Sequence, residues 1–506
     1  MTPLPYPEAS AIIAHIFRLN SAVSVFEALL LCPMNSSCPS NQCYNGATQQ
    51  IQQSRAMAVI RGEFSSRFGF VMAASGSAVG LGNIWGFPTQ AASNGGAAFL
   101  LVYLILAFTL AYPALMAELI IGRHAHANAV SALRLVSPTR LIGNIGALAG
   151  IAGLIVASLI LSFYAIVAGW MIAFFLSSIA DLLGMENLSL WLVSFSSWRN
   201  ILFMLIFMAL NVGVISAGVQ RGIERWSTRL MPVLLTTLAL LVVYVLTLDG
   251  AMEGLRVYLL PDFSQILSPR LIINALGSAF FSLSLGVGTM LIYGSYIKDD
   301  ENLPLVGGMV TVLDILIAVL AGFLILPAMY VALNSGVEIF TESGALLSED
   351  TLIFTVLPEL FATMGVTGII VSLIFFFLMS IAAVTSSISM LEVPVAYAIE
   401  EHGTDRKITT IAVSCVIAVI SVCILLNFES LFGAVITLTT RYSQPLLGFV
   451  FCIYAGWVWR RDLLLQELQK GNPEISEGLF WKIWPWYVKL VCPLIILAIF
   501  AQSIWG

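Results

Sequence analysis

From Phe68 onward the chain alternates long apolar runs with short polar breaks. The runs fall near 68–90, 96–121, 145–179, 200–217, 227–248, 270–297, 304–334, 366–400, 408–426, 430–457 and 484–505. A helix needs about 20 apolar residues to cross about 30 Å of hydrocarbon, so the pattern predicts about eleven transmembrane helices and an all-α polytopic membrane protein. The longest loop, between the seventh and eighth runs, carries an amphipathic piece over 351–361 that predicts a helical lid on the outer face. The first 55 residues differ: an apolar stretch over 22–31, interrupted by Glu27, gives way to a polar segment through Gln53. Met57 then opens a basic leader containing Arg61 and Arg67. Residues 1–56 are therefore expected to be a disordered or spurious extension, and 57–506 a single transmembrane domain.

Composition sharpens this picture. Of 506 residues, 59% are hydrophobic and only 10% charged, whereas a soluble domain carries roughly a quarter charged residues. A water-soluble fold is excluded. The formal net charge of -6 supplies no basic field for nucleic acid. Cys415, Cys423, Cys452 and Cys492 lie inside apolar runs, where a thiol behaves as a small hydrophobe. Cys32, Cys38 and Cys43 lie in the first stretch, and His15, His124, His126 and His402 fall there or in expected loops, so no metal-ligand spacing emerges. Lys and Arg bias sets orientation. One set of segments holds Arg61, Arg67, Arg123, Arg134, Arg140, Arg221, Arg225, Arg229, Lys298, Arg406, Lys407, Arg460, Arg461 and Lys470; the other holds Arg199, Arg256 and Arg270. The bias predicts a multi-pass protein of the cell's inner (plasma) membrane with its N-terminus in the cytoplasm.

Two runs are interrupted. The first contains Gly76, Gly80 and Gly82 within the stretch ending at Asn83, and the sixth contains Ser282, Ser284, Gly286 and Gly288. Inside a bilayer every backbone polar group needs a partner, which a regular helix supplies. A Gly-rich interruption exposes carbonyls that can ligate a hard cation, and half-helix ends that can meet a charged ligand. Glycines also permit close helix packing. However, these are the first helices of two successive five-span blocks, about 67–250 and 269–457, with a final helix at about 484–505. Matched interruptions in two halves point to a transporter site built on a 5+5 inverted repeat with broken first and sixth helices.

The eighth run adds four hydroxyls in five residues: Thr385, Ser386, Ser387 and Ser389. Neutral oxygens of this kind suit sodium. Few ionisable residues fall well inside runs: Glu118, Asp314, Glu392 and Arg441, and each is a functional candidate by its position. Asp314 is the sharpest. A lone carboxylate at that depth belongs either beside a cation or, protonated, among hydroxyls.

The stretch from Arg67 through Gly76–Pro88, then Asn94–Phe99 and Glu118–Arg123, with Phe281–Gly286 and Thr385–Ser387, resembles the signature motifs of the neurotransmitter:sodium symporter family. From Arg61 to the end, the chain is most similar to that family's bacterial eleven-span amino-acid transporters. The resemblance implies one sodium held by Ala78, Asn83, Ser282, Asp314 and the substrate carboxylate. It implies a second among Gly76, Val79, Ala382, Thr385 and Ser386. Substrate contacts would come from Ser77, Ala78, Leu81, Gly82, Ile160, Tyr164, Phe281, Ser282, Ser284, Val287, Ser386 and Met390. Arg61, Tyr296 and Glu400 would form the inner gate, and Gly222 and Pro232, at the family's spacing, would let the fifth helix unwind.

Departures from the family pattern refine the expectation. Monoamine carriers place an aspartate where this chain has Gly80, so the substrate must bring its own carboxylate. Chloride-dependent relatives place an asparagine where this chain has Asp314, while Tyr103, Ser278 and Ser282 match the remaining anion-site positions. A fixed carboxylate would replace chloride. The outer-gate salt bridge is missing at both positions, now Gly86 and a neutral residue near Ile436. The expected function is sodium-coupled, chloride-independent import of a hydrophobic or aromatic amino acid by alternating access, without enzymatic chemistry. The rivals are a transport-silent amino-acid receptor of the same fold and a monoamine carrier.

Overall fold

The computed structural model describes residues 62–260, 266–340, 346–347 and 351–505. The expected extension at 1–56 and Arg61 lie outside the described residues. Among these residues, eight helices are long and apolar enough to span a membrane, and a ninth crossing is the pair Arg67–Ala78 and Gly82–Ser93, bent by 56°. The eight are Ala97–Ala125, Arg140–Leu182, Ser197–Ser216, Val219–Val245, Leu303–Asn334, Gly365–His402, Arg406–Leu426 and Leu479–Ala498. Two further crossings, one of them interrupted, complete the expected eleven. The sixth is Pro269–Ser282 followed by Thr289–Gly294, and the tenth runs unbroken from 428 to 458 through alternating α and π turns. Span numbers below follow this order.

Polar residues stop and start the spans where the sequence changes character. Ser66, Asn302 and Asp405 each cap a helix by accepting backbone N–H groups of the first turn, satisfying donors that have no intrahelical partner. Gly403 closes the eighth span in the left-handed region at φ 61°. Several spans outrun their apolar windows. The third covers 43 residues rather than the expected 145–179, beginning just after Thr139, whose hydroxyl caps the helix by accepting the Ile142 N–H. It lies along the eighth span, and both touch the ninth. The lid loop does contain a helix, Leu352–Thr363. His124 and His402, expected in loops, sit instead in the last turns of the second and eighth spans, where a basic side chain meets the negative end of a helix.

The Arg/Lys-rich face is closed by a buried ionic clamp. Arg123, fully buried, donates from Nε to Glu467 Oε1 at 2.8 Å and from Nη1 to the Glu301 carbonyl at 2.7 Å. Lys470 Nζ lies 2.9 Å from Glu467 Oε2 and 3.2 Å from Asp299 Oδ1, and His124 Nδ1 lies 3.1 Å from Glu467 Oε2. Burial by itself raises the Glu467 carboxyl, but the His124 hydrogen bond and the Arg123 and Lys470 charges outweigh it, holding it at about 2. A depressed carboxyl stabilises the fold above its ordinary range near 4.5 and loses that contribution as pH falls toward 2. The melting temperature should therefore hold from neutral pH to about 4.5 and fall below it. Glu467→Gln should lower the neutral-pH melting point and flatten that acid slope, as a thermal scan across pH would show.

Candidate functional site

Both interruptions expected from the sequence are present. In the first span the helix ends at Ala78, Val79 takes an extended ψ of 106°, and helix resumes at Gly82. In the sixth, residues 283–288 leave the helix, with Ser284 at φ 51°, Gly286 at 81° and Gly288 at 80°. These are left-handed angles that favour glycine. Gly286 is fixed twice over, since a Cβ there would fall 2.1 Å from the Gln444 carbonyl oxygen.

The breaks face one another and share partners. The Ser77 carbonyl accepts from Ser284 Oγ at 2.9 Å and from Ser386 Oγ at 3.0 Å, tying together both breaks and the eighth span. Ser77 Oγ donates to Ser389 Oγ at 2.7 Å, and Ser389 in turn donates to the Ser386 carbonyl. Tyr164, on the third span, receives the Leu81 N–H at 3.3 Å. A Cβ at Gly80 would lie 2.9 Å from both Tyr164 Oη and Ser386 Oγ, so those hydroxyls flank the bare backbone. Phe281 covers Gly82 from the other side, where a Cβ would come within 2.5 Å of its ring. Ile160, Val287 and Met390 are buried.

Asp314 closes one end of this arrangement. Its Oδ1 accepts from Asn83 Nδ2 at 2.7 Å, and Ser282 Oγ lies 2.9 and 2.7 Å from its two oxygens. Asn83 Nδ2 also reaches Ser282 Oγ at 2.8 Å, and Tyr103 Oη stands 3.4 Å from the same hydroxyl. A carboxylate has about four lone-pair sites. Asn83 and Ser282 occupy about half, leaving acceptor capacity of the type a hard cation takes. At the other end, Gly76 approaches the eighth span so closely that a Cβ would sit 3.2 Å from Thr385 Cβ. Thr385 Oγ1 lies 3.1 Å from the carbonyls of Ile381 and Ala382. Asn83, Ser282 and Asp314 are thus joined by hydrogen bonds, Gly76 packs against Thr385, and the Ser77 carbonyl links Ser284 to Ser386.

Several partners were not legible in the chain. Glu118 Oε1 accepts the Gly286 N–H at 2.7 Å, so this intramembrane carboxylate supports the second break, and Gln444 Nε2 supports it again through the Leu285 carbonyl. A carboxylate and a glycine break lying in separate runs are the sequence signal for such a pair. Glu392 accepts from Tyr296 Oη at 2.6 Å and pairs with Arg406 Nη2 at 2.5 Å. Tyr296, expected beside Glu400, is thereby joined to the carboxylate two turns earlier. Glu400 Oε2 accepts from Asn128 N at 2.9 Å and Nδ2 at 2.5 Å. Arg441 lies 5.9 Å from the Tyr442 ring.

The model of the Sodium:neurotransmitter symporter family matches residues 61–201 and 194–506. The chain belongs to this family. Its curated relatives include the uncharacterized sodium-dependent transporter YhdH of Bacillus subtilis, 32% identical over 87% of this chain and 97% of that protein. The sodium-dependent serotonin transporter of Drosophila melanogaster is 25% identical over 86% of this chain and 75% of that protein. Among solved structures, MhsT in complex with L-phenylalanine superimposes with a TM-score of 0.76 at 33% identity, over 88% of this chain and all of that one. As a member of the sodium symporter family, the protein is a sodium-dependent multi-pass membrane transporter with broken first and sixth spans.

Family membership makes the expected outer face informative. A Cβ added at Gly86 would meet nothing within 4 Å, and Ile436 is half-buried. An aromatic cluster lies where these positions lead. Phe354, from the lid helix, meets Trp85 at 5.9 Å, Trp170 at 5.4 Å and Phe174 at 5.2 Å between ring centres, and Phe432 lies 6.3 Å from Trp170. Arg199, at the start of the fourth span, is buried against Phe174, Phe195 and Phe203. Apolar rings thus join the lid to the first, third and tenth spans. Each aromatic pair is worth about 0.5–1.5 kcal/mol beyond its area, so Phe354→Ala should speed outward release of bound substrate by about tenfold or more. Stopped-flow dissociation of labelled substrate measures this.

Proposed function

We propose that this transporter imports a hydrophobic or aromatic amino acid, driven by two sodium ions and independent of chloride, across the plasma membrane with its N-terminus in the cytoplasm. The observation that carries the proposal is Asp314, a carboxylate buried at the junction of both breaks through Asn83 and Ser282. In this reading the first sodium is held by Ala78, Asn83, Ser282, Asp314 and the substrate carboxylate. The second is held by Gly76, Val79, Ala382, Thr385 and Ser386. Asp314 offsets the sodium charge without a mobile anion.

The substrate carboxylate would lie at Leu81, Gly82 and Tyr164, and its amine at Ala78, Phe281, Ser282 and Ser386. Ser77 would be a further substrate contact, and Ile160, Ser284, Val287 and Met390 would face the substrate's side chain. Three of these four side-chain contacts are apolar, and burying each CH₂ is worth about 0.8 kcal/mol. Binding of L-phenylalanine by MhsT supports the same substrate class. Coupling follows from the shared coordination shell, since substrate and sodium must raise each other's affinity by one factor. The inner gate is assigned to Arg61, Tyr296 and Glu400. The fifth span supports its opening: Gly222 lies in the π-helical turn Val219–Glu224, and Pro232 removes a helical hydrogen bond further along.

The test is uptake of labelled L-phenylalanine into proteoliposomes under an inward sodium gradient, with competition by all twenty amino acids. Accumulation that collapses without the gradient and is competed by large apolar amino acids is expected. Saturable binding without uptake or counterflow would make the protein a receptor instead.

A further inference from the structure

Where the tenth span ends and the eleventh begins, two cations are set among three indole rings. The Arg461 guanidinium lies 5.2 Å from the Trp481 ring centre and 5.5 Å from that of Trp486. The Lys489 ammonium lies 4.5 Å from Trp457 and 5.9 Å from Trp486. Trp457 Nε1 donates to the Lys489 carbonyl at 2.6 Å, fixing one span against the other. Arg123, Arg406 and Lys470 on the same face each sit on a carboxylate. Among the described residues, Arg461 and Lys489 meet aromatic rings where those three meet carboxylates. A ring attracts a cation through its quadrupole but does not neutralise it.

The position is that of a lipid headgroup. Trp457 is the penultimate residue of the tenth span, and the Lys/Arg bias puts this end at the inner leaflet. Outward from it the eleventh span shows exposed apolar side chains at Trp486, Leu490, Leu494 and Leu497. Their spacing places them on one helical face, a track for an acyl chain that starts at the two cations. We propose that Arg461, Lys489, Trp457 and Trp486 bind the headgroup of an anionic phospholipid whose chain lies along Leu490, Leu494 and Leu497. Cations near a membrane surface are drawn to anionic lipid. A choline headgroup gains little here, because the rings that would cage its ammonium already hold the protein's own cations.

The test is native mass spectrometry of the detergent-purified full chain, titrated with phosphatidylglycerol and with phosphatidylcholine of identical chains. At least about tenfold preferential retention of phosphatidylglycerol is expected, a ratio within reach of two charge contacts. The double substitution Arg461→Gln and Lys489→Gln should abolish the preference. Equal retention of both lipids, or an unchanged preference in the double variant, overturns the proposal. So does full competition by inorganic phosphate, which would mark a simple anion site. Should the double variant fail to fold, wild-type tryptophan quenching decides: bromine-labelled phosphatidylglycerol should quench more strongly than bromine-labelled phosphatidylcholine, and equal quenching overturns the site.

Discussion

Asp314→Asn should cut sodium-driven uptake in chloride-free buffer by at least about tenfold, with much of the loss restored when chloride is added. The substitution keeps the size of the side chain while removing its charge. At an effective dielectric of about 20, unit charges about 4 Å apart interact by roughly 4 kcal/mol. That corresponds to nearly three decades in affinity, part of which is offset by the cost of keeping the carboxylate dry. Tyr103 and Ser282 already stand beside the position, 3.4 Å apart, and offer hydroxyls to an anion. Uptake measured with gluconate in place of chloride, in wild type and variant, reads the effect directly. A variant that transports fully without chloride would remove Asp314 from the sodium site.

Gly80→Asp should abolish amino-acid uptake. Even its Cβ would fall 2.9 Å from Tyr164 Oη and Ser386 Oγ, so both hydroxyls must give way. The larger effect is electrostatic. A carboxylate there would stand close to that of the bound amino acid, and like charges about 4 Å apart cost roughly 4 kcal/mol under the same dielectric. An amine lacking a carboxylate escapes this repulsion. The variant should therefore lose phenylalanine transport by two or more decades while retaining or gaining binding of phenethylamine. Unaltered phenylalanine transport would mean that the substrate carboxylate lies elsewhere.

The spans and breaks were legible because their causes are local. Gly80 lies in the gap between the helices that end at Ala78 and resume at Gly82, and Gly286 and Gly288 take left-handed angles that most residues resist. Those signals lie within a few residues of the structure they produce. The third span's extra turns were not legible in the apolar pattern, because a cap at Thr139 rather than apolarity sets where the helix starts. Pairings across the bundle were hidden for a related reason. Nothing near Glu118 announces that it receives the Gly286 N–H, and nothing near Glu392 announces Tyr296 and Arg406. Such contacts join residues 14 to 168 positions apart. The aromatic cluster around Phe354 was equally hidden, because its rings come from four separate stretches.

Substrate carboxylate and sodium should share one coordination shell between the two breaks. The most direct test is equilibrium binding of labelled L-phenylalanine to purified protein across a sodium titration, with phenethylamine as competitor. Phenylalanine affinity should climb with sodium, sodium affinity should climb by the same factor with phenylalanine, and the amine should compete poorly at every sodium concentration. Sodium-independent phenylalanine affinity, or an amine that competes as well as the amino acid, would contradict it.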